Sequence, residues 1–532
     1  MIESNILLVM LLFFFMAMLF VCSQRLKISY PILLVIGGLV ISLIPGMPEF
    51  SIKPDVVFLV FLPPLLFEAA WYTSWGSFWS NRRSIMIMGF GLVFITSLSI
   101  AYLSVNLIPG FTLALGFLLG GIISPPDAVA ATSVLKDVYI PKNGVTLLEG
   151  ESLVNDSASL TVFTMALAVI KSGTFEIQEA IVGFLTLSIM GIVVGLIIAH
   201  VLYLFLRYIA KSSSITTPIT LIAPYIMYIV AEHFEWSGVL AVVAGGLFLS
   251  FRSKDYMNHS TRIQTREVWD TVGFLLNGFV FILIGLELPI IIEGIENVSK
   301  EWAIKIALII TAVIIIIRIL FVYLALVLPR FLSNRIRKKE QSIGWKLPLV
   351  IGWAGMRGVV SLASALSIPL IQNGAHFPHR NLILFITFIV ILITLVFQGL
   401  SLPWLIRGIK LEGDSEEISE DAQYKSIRYR LVKEEISLLN TKYQHELETS
   451  NTLKAINLQL KRSLEATVTT LSSDAKIKLS NERELYKKVM QDLIDVRRKV
   501  VYELMENRAY DESVLRALEH NLDLEESRLN RK

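Results

Sequence analysis

From its N-terminus to about residue 405 the chain alternates stretches of about twenty apolar residues with short polar loops, and no other feature restricts its fold as much. Twenty residues of helix span about 30 Å, the thickness of a bilayer's hydrocarbon layer. Inside that layer no water satisfies backbone N–H and C=O groups, so each stretch must be a helix that bonds to itself. The stretches lie near 6–23, 28–45, 55–72, 84–107, 111–135, 145–170, 178–206, 216–232, 236–251, 267–289, 302–328, 346–371 and 381–405. The expected fold class is an all-α membrane protein of about 13 transmembrane helices. Charged residues make up 17% of the 532, against about 25% in soluble domains. The first stretch, Ile6 to Val21, lacks a basic leader and a small-residue cleavage site and reads as a retained span rather than a signal peptide.

Orientation follows from Lys and Arg in alternate loops, because basic loops stay on the cytoplasmic side. One set of loops carries 20 such residues and the opposite set 5. The expectation is a multi-pass plasma-membrane protein with its N-terminus outside and its C-terminus cytoplasmic. Residues 1–410 form the expected membrane domain. Residues 411–532 form a cytoplasmic tail, in which 24 acids and 21 bases accompany amphipathic patterning. Tail helices are expected near 415–449, 452–471, 482–509 and 512–529, the third with Asn481 as its N-cap and Glu484 at the third helical position. Leu431, Ile436, Leu438 and Leu439, and then Leu485, Val489, Leu493 and Val496, form stripes suited to a core or a coiled-coil seam. A helical regulatory or dimerisation tail is one reading; a solvated, partly disordered one is the other.

Two spans carry breaks. Span 5 contains "GFLLGGIISPPDAVAATSV", in which Pro125 and Pro126 remove two backbone donors just before Asp127. Span 12 contains "IGWAGMRGVVSLASA", with Gly352, Gly355 and Gly358 around Arg357. Either alone reads equally as a packing kink or a small-residue helix contact. Together they occupy the middle helices of spans 4–6 and 11–13, as expected of a secondary transporter with inverted repeats and two crossing broken helices. Helix ends would then face a common centre with opposite partial charges, and Arg357 is suited to the negative ends.

Span 6 begins "LLEGESLVNDSASL". Glu149, Ser152 and Asp156 fall at i, i+3 and i+7, on one helix face, with Asn155 flanking it. Asp156 is the deepest of the acids, where a charge costs about 2.5–3.5 kcal/mol on insertion scales. A carboxylate there is neutralised either by a proton or by a small hard cation held through oxygens, and the two states exclude each other. One carboxylate loaded alternately on opposite faces is a cation/proton exchanger. Asp127 and Ser152 complete the expected ion site; a hydrogen-bonded structural acid is the competing reading. Glu149 and Glu151 are assigned to the start of the helix and local packing. Glu68 in "FLPPLLFEAAW" is expected to pair with Arg357, and Arg318 with an acid or helix carbonyls.

Other chemistry is excluded or has no motif. Cys22 is the only cysteine, so no intrachain disulfide or cysteine zinc cluster forms. His376 and His379 read as a solvated turn. No Walker loop or phosphorylatable aspartate signature appears, so an existing gradient supplies the energy. The chain reads as no enzyme, with no cofactor beyond transported Na+ and H+, and with no nucleic-acid partner. A cation channel and a membrane-tethered sensor are the remote alternatives.

The stretches "FLPPLLFEAAW", "SPPDAVAA", "GESLVNDSASL" and "WAGMRGVVSLA" together resemble the sodium/proton exchanger family of the cation/proton antiporter superfamily, over roughly residues 5–408. The resemblance implies that Asp156 binds both ion and proton, with Asp127 and Ser152 in the site. Asn155, Glu68 and Arg357 would form the supporting polar network. The Asn155–Asp156 pair implies electroneutral exchange of Na+, with Li+ and K+ as further candidates, in pH and sodium homeostasis; a K+/H+ antiporter is the alternative. The family also implies a homodimer in which one bundle moves like an elevator against a static one. At "PPDA" the chain departs from the commoner Thr-Asp-Pro, Pro126 standing for the threonine and Ala128 for the proline.

Overall fold

The computed structural model describes residues 2–26, 28–44, 54–135, 138, 140–173, 177–210, 212–294, 299–332, 344–372, 375–409, 420–469 and 476–506, with scattered positions from 515 onward. The chain divides into two compact units, Met1–Ser415 and Glu416–Lys532. The boundary expected at 410/411 lies outside the described residues.

Among the described residues the regular structure of the first unit is helical apart from a two-residue antiparallel ladder, Ile371–Gln372 with Ala375–His376. Its helices are α1 (Ile2–Leu26), α2 (Tyr30–Ser42), α3 (Pro54–Tyr72), α4 (Trp75–Leu107), α5 (Leu113–Ile123), α6 (Ala128–Leu135), α7 (Lys142–Ser172), α8 (Ile177–Tyr208), α9 (Ser213–His233), α10 (Gly238–Tyr256), α11 (His259–Glu293), α12 (Lys300–Leu326), α13 (Lys346–Trp353), α14 (Val359–Leu366) and α15 (Arg380–Ile409). Helix occupies each of the thirteen predicted intervals. Among the described residues eight segments are by themselves long and apolar enough to cross a bilayer, including those carrying α4, α7, α12 and α15. α9 and α10 are two helices and not one: Glu235 adopts a left-handed φ of 58° between them, and the Glu232 carboxylate accepts from the Gly238 N–H at 3.0 Å.

Local chemistry sets several ends. The Thr112 hydroxyl accepts from the Leu115 N–H at 3.2 Å to open α5, and Gly173 closes α7 with a left-handed φ of 75°. Spans 5 and 12 are broken where the sequence indicates, at 124–127 between α5 and α6 and at 354–358 between α13 and α14. α5 packs on α4 through Gly116 and Gly120, whose Cα atoms lie against the backbone of Ala101 and Ser97. α13 packs likewise on α12, and α4 packs on α12, so the first two helices of each three-helix unit pair in the same way.

Two large apolar cores, with a small satellite of Val93, Ala158 and Val162, organise this unit. The larger runs through the crossing and includes Ile122, Ile123, Val350, Ile351, Met356 and Leu362. The other joins α3, α8, α9, α10 and α11 around Phe67, Met227, Val242 and Trp269.

In the second unit the helices are α16 (Glu420–Lys442), α17 (Gln444–Thr449), α18 (Asn451–Thr469) and α19 (Lys476–Glu506). α19 begins before Asn481, which is therefore inside the helix and not its cap. The first predicted tail helix is split at Tyr443. Most of the fourth, 512–529, lies outside the described residues. Of the predicted stripe Val489, Leu493 and Val496 are exposed and the Leu485 side chain lies outside the described residues; the buried residues of α19 are instead Ile494 and Val501, the latter packed with Leu515 and Leu522.

Candidate ion site at the crossing of two broken helices

The two breaks meet. The Asp127 N–H donates to the Met356 carbonyl at 2.6 Å, and the Arg357 Nε donates to the Ile123 carbonyl at 3.1 Å. Four helix ends converge there, and two side chains of opposite charge serve them. Asp127 Oδ1 accepts from the N–H groups of Val129 (2.8 Å) and Ala130 (3.2 Å), at the start of α6. The Val359 N–H, at the start of α14, faces the same carboxylate. Arg357 bonds the last carbonyl of α5, at Ile123, and that of Gly355 just beyond α13. Acid sits on the positive ends and guanidinium on the negative ones, the arrangement that helix dipoles favour.

Arg357 is 1% exposed. Its own N–H donates to the Thr394 hydroxyl at 3.1 Å, inside a π-helical turn, Thr394–Gln398, of α15. Thr394 was not singled out by sequence; a lone threonine in an apolar span carries no signal. Gly358 is required by close approach, because a Cβ there would fall onto the Asp127 carboxylate.

α7 passes the crossing with its polar face toward it. Asn155 is fully buried, and its amide donates to the Pro126 carbonyl at 3.1 Å. The Ser152 hydroxyl accepts from the Ala128 N–H at 3.4 Å. Both side chains thus bond backbone groups at the break in span 5. Asp156 is 8% exposed, and among the described residues no donor bonds its carboxylate.

Asp127, Ser152 and Asp156 line one cavity of about 60 Å³ with Asn277, Gly358 and Ser361, room for a few water-sized particles. Its far wall is α3, at Leu62, Leu65, Leu66 and Ala69. The cavity therefore lies where the two apolar cores border one another. The three predicted site residues are brought together; Asn277 is an addition. Among the described residues no group of three His, Cys, Asp or Glu side chains is arranged to hold a resident metal.

Two expectations need revision. Glu68 does not pair with Arg357: the half-buried Glu68 carboxylate sits against Gly273 of α11, and Arg357 is committed to the helix ends. Arg318 does find an acid, Glu151, through bonds of 2.6 and 3.2 Å, and also donates to the Ile351 carbonyl at 3.2 Å. Both partners are at most 1% exposed. Glu151 thus does more than begin a helix. Five residues before Asp156 is about 140° around the helix, so Glu151 had to point away from the cavity toward another buried charge. Glu149, on the Asp156 face but two turns earlier, is exposed.

The chain matches the sodium/hydrogen exchanger transmembrane family over residues 9–408. It is 30% identical over 513 residues to an uncharacterized Na+/H+ exchanger of Mycobacterium tuberculosis, covering 96% of this chain and 93% of the relative. A sodium, potassium, lithium and rubidium/H+ antiporter of Bacillus subtilis is 32% identical, covering 78% of this chain and 63% of the relative. Among solved structures, the sodium proton antiporter MjNhaP1 of Methanocaldococcus jannaschii superposes with a TM-score of 0.60 at 20% identity, over 77% of this chain and 99% of that one.

Proposed function

We propose that this chain, which belongs to the sodium/hydrogen exchanger family and exchanges monovalent cations for protons, does so electroneutrally through one carboxylate, that of Asp156. The observation that carries the reading is the division of labour between the two acids. Asp127 is occupied by the ends of α6 and α14, whereas Asp156 faces the cavity with no donor bonded to it. A buried carboxylate without a partner has to take a proton or a cation. Proton loss frees its oxygens for the cation, and cation loss restores the proton affinity, so one charge leaves for each that arrives. Ser152 and Asp127 contribute further oxygens, while Asn155 and Arg357 hold the crossing in place.

Alternating exposure requires the cavity to open to each side in turn. The border between the two apolar cores supports movement of the crossing-helix bundle against the bundle containing α3. On this reading the protein is a multi-pass plasma-membrane homodimer of thirteen crossings with its N-terminus outside and its tail in the cytoplasm. It serves pH and sodium homeostasis, and it needs neither covalent chemistry nor a cofactor.

Sodium is the proposed cation. The B. subtilis relative, named for sodium, potassium, lithium and rubidium, favours K+/H+ exchange as the second reading. Purified protein in proteoliposomes with an imposed pH gradient tests both. Na+ dissipates the gradient at the same rate with the membrane potential clamped or free; dissipation by K+ alone selects the second reading, and a potential-dependent rate overturns electroneutrality.

A further inference from the structure

The tail helix α19 presents two apolar faces, and only one is covered. Val501 is buried with Leu515 and Leu522, and Ile494, seven residues earlier, is buried too. Val489, Leu493, Val496 and Val500 are 47, 45, 59 and 49% exposed. Their spacing of four, three and four residues is that of alternating d and a positions in a heptad repeat, the pattern that seams two helices together.

We propose that this stripe is a parallel coiled-coil seam between the tails of two copies of this chain. The proposal rests on the homodimer reading above and goes further by naming the contact. Charge complementarity identifies the occupant. With Leu493 and Val500 at a and Val489 and Val496 at d, Asp492 occupies position g and Arg497 the following e. In a parallel pair of identical helices, position g of one faces the next e of the other. Asp492 therefore meets Arg497 of a second copy twice, once on each side of the seam, which a symmetric pair provides automatically. Among the described residues Arg497 is held within its own chain only by a half-exposed pair with Glu525 at 2.9 Å, a contact of the kind that yields readily to a new partner. Two copies in one bilayer also carry their tails on the same side of it, which brings equivalent helices together.

Because Cys22 is the only cysteine, a Cys22→Ser background reports on one introduced thiol at a time. Full-length protein in membranes, carrying Leu493→Cys, is expected to form a disulfide-linked dimer under mild oxidation. Asp495→Cys, at the outward c position, is expected to give less than one tenth of that yield. Adding Val496→Asp abolishes the Leu493→Cys cross-link, while Val489→Cys replaces Leu493→Cys as an independent reporter of the same seam. Equal cross-linking at 493 and 495, or none at 493 and 489, overturns the seam. Light scattering of the same samples separates the two failures: a dimer that persists without the cross-link leaves the homodimer standing, and a monomer removes both.

Discussion

Asp127 and Arg357 divide the crossing between them: the carboxylate takes the N–H groups that open the second half of each broken helix, and the guanidinium takes carbonyls at the end of each first half. Each charge is thereby compensated by helix ends as much as by the other. This explains why a cationic side chain 1% exposed sits stably beside the proposed cation site with no acid in direct contact. It also leaves Asp156 as the acid without a structural duty.

Arg357→Ala leaves two buried carbonyls without a donor, each costing about 1–3 kcal/mol. The expected result is a lower melting temperature in detergent together with at least a tenfold slower exchange. Arg357→Lys recovers part of the stability, since an ammonium is a point charge that cannot reproduce the guanidinium fork. Thermal unfolding and initial rates on the same preparations check this; a stable, fully active alanine variant contradicts it.

The Glu151–Arg318 pair is predicted to be structural. Glu151→Gln alone, leaving the guanidinium buried without its counter-charge, costs about 3–5 kcal/mol. Glu151→Leu combined with Arg318→Met removes both charges and is expected to recover most of that loss. A double variant as unstable as the single one would show that the pair does not act as a closed unit. Unfolding midpoints of the four proteins in the cycle decide it.

Gly358→Ala introduces a Cβ onto the Asp127 carboxylate. The neighbouring backbone cannot yield without breaking the Asp127–Met356 bond, so exchange is expected to fall at least tenfold. Ser152→Ala gives a contrast: it removes one 3.4 Å bond and one candidate ligand oxygen while leaving the crossing intact. Its expected signature is a severalfold rise in the cation concentration needed for half-maximal rate. Comparable losses of maximal rate in both variants contradict this assignment.

Much of this was legible in the sequence. Runs of apolar residues long enough to cross a bilayer mark helices because the bilayer leaves the backbone no alternative, and both breaks lie where prolines or glycines deny the helix its bonds. The i, i+3, i+7 spacing of Glu149, Ser152 and Asp156 does place Ser152 and Asp156 on one cavity, because helical periodicity fixes which residues share a face. The partner of Arg318 and the true neighbours of Arg357 were not legible. Pairings between residues 167 apart depend on how helices pack, and opposite charge alone had favoured Glu68. The tail misled for a related reason: an apolar stripe shows that a face seeks cover without saying that its own chain supplies it.

Asn155→Asp tests the charge count. A further buried carboxylate replaces the amide that donates to the Pro126 carbonyl, so stability falls. Any exchange that remains is expected to depend on the membrane potential, because the added carboxylate takes a second proton and the proton-loaded and sodium-loaded forms no longer carry equal charge. Rates with and without a potential clamp check this, and an active variant insensitive to the clamp contradicts it.

The central claim is that one carboxylate carries cation and proton in turn, and the most direct measurement is Na+-driven dissipation of a pH gradient in proteoliposomes by wild type beside Asp156→Asn. Asparagine keeps the size of the side chain and cannot take up a proton or supply an anionic ligand. The account predicts that the variant folds, inserts and melts near the wild-type temperature yet exchanges at the protein-free background rate. Exchange by Asp156→Asn within a factor of a few of wild type would show that Asp156 is a structural acid and that the ion is carried elsewhere.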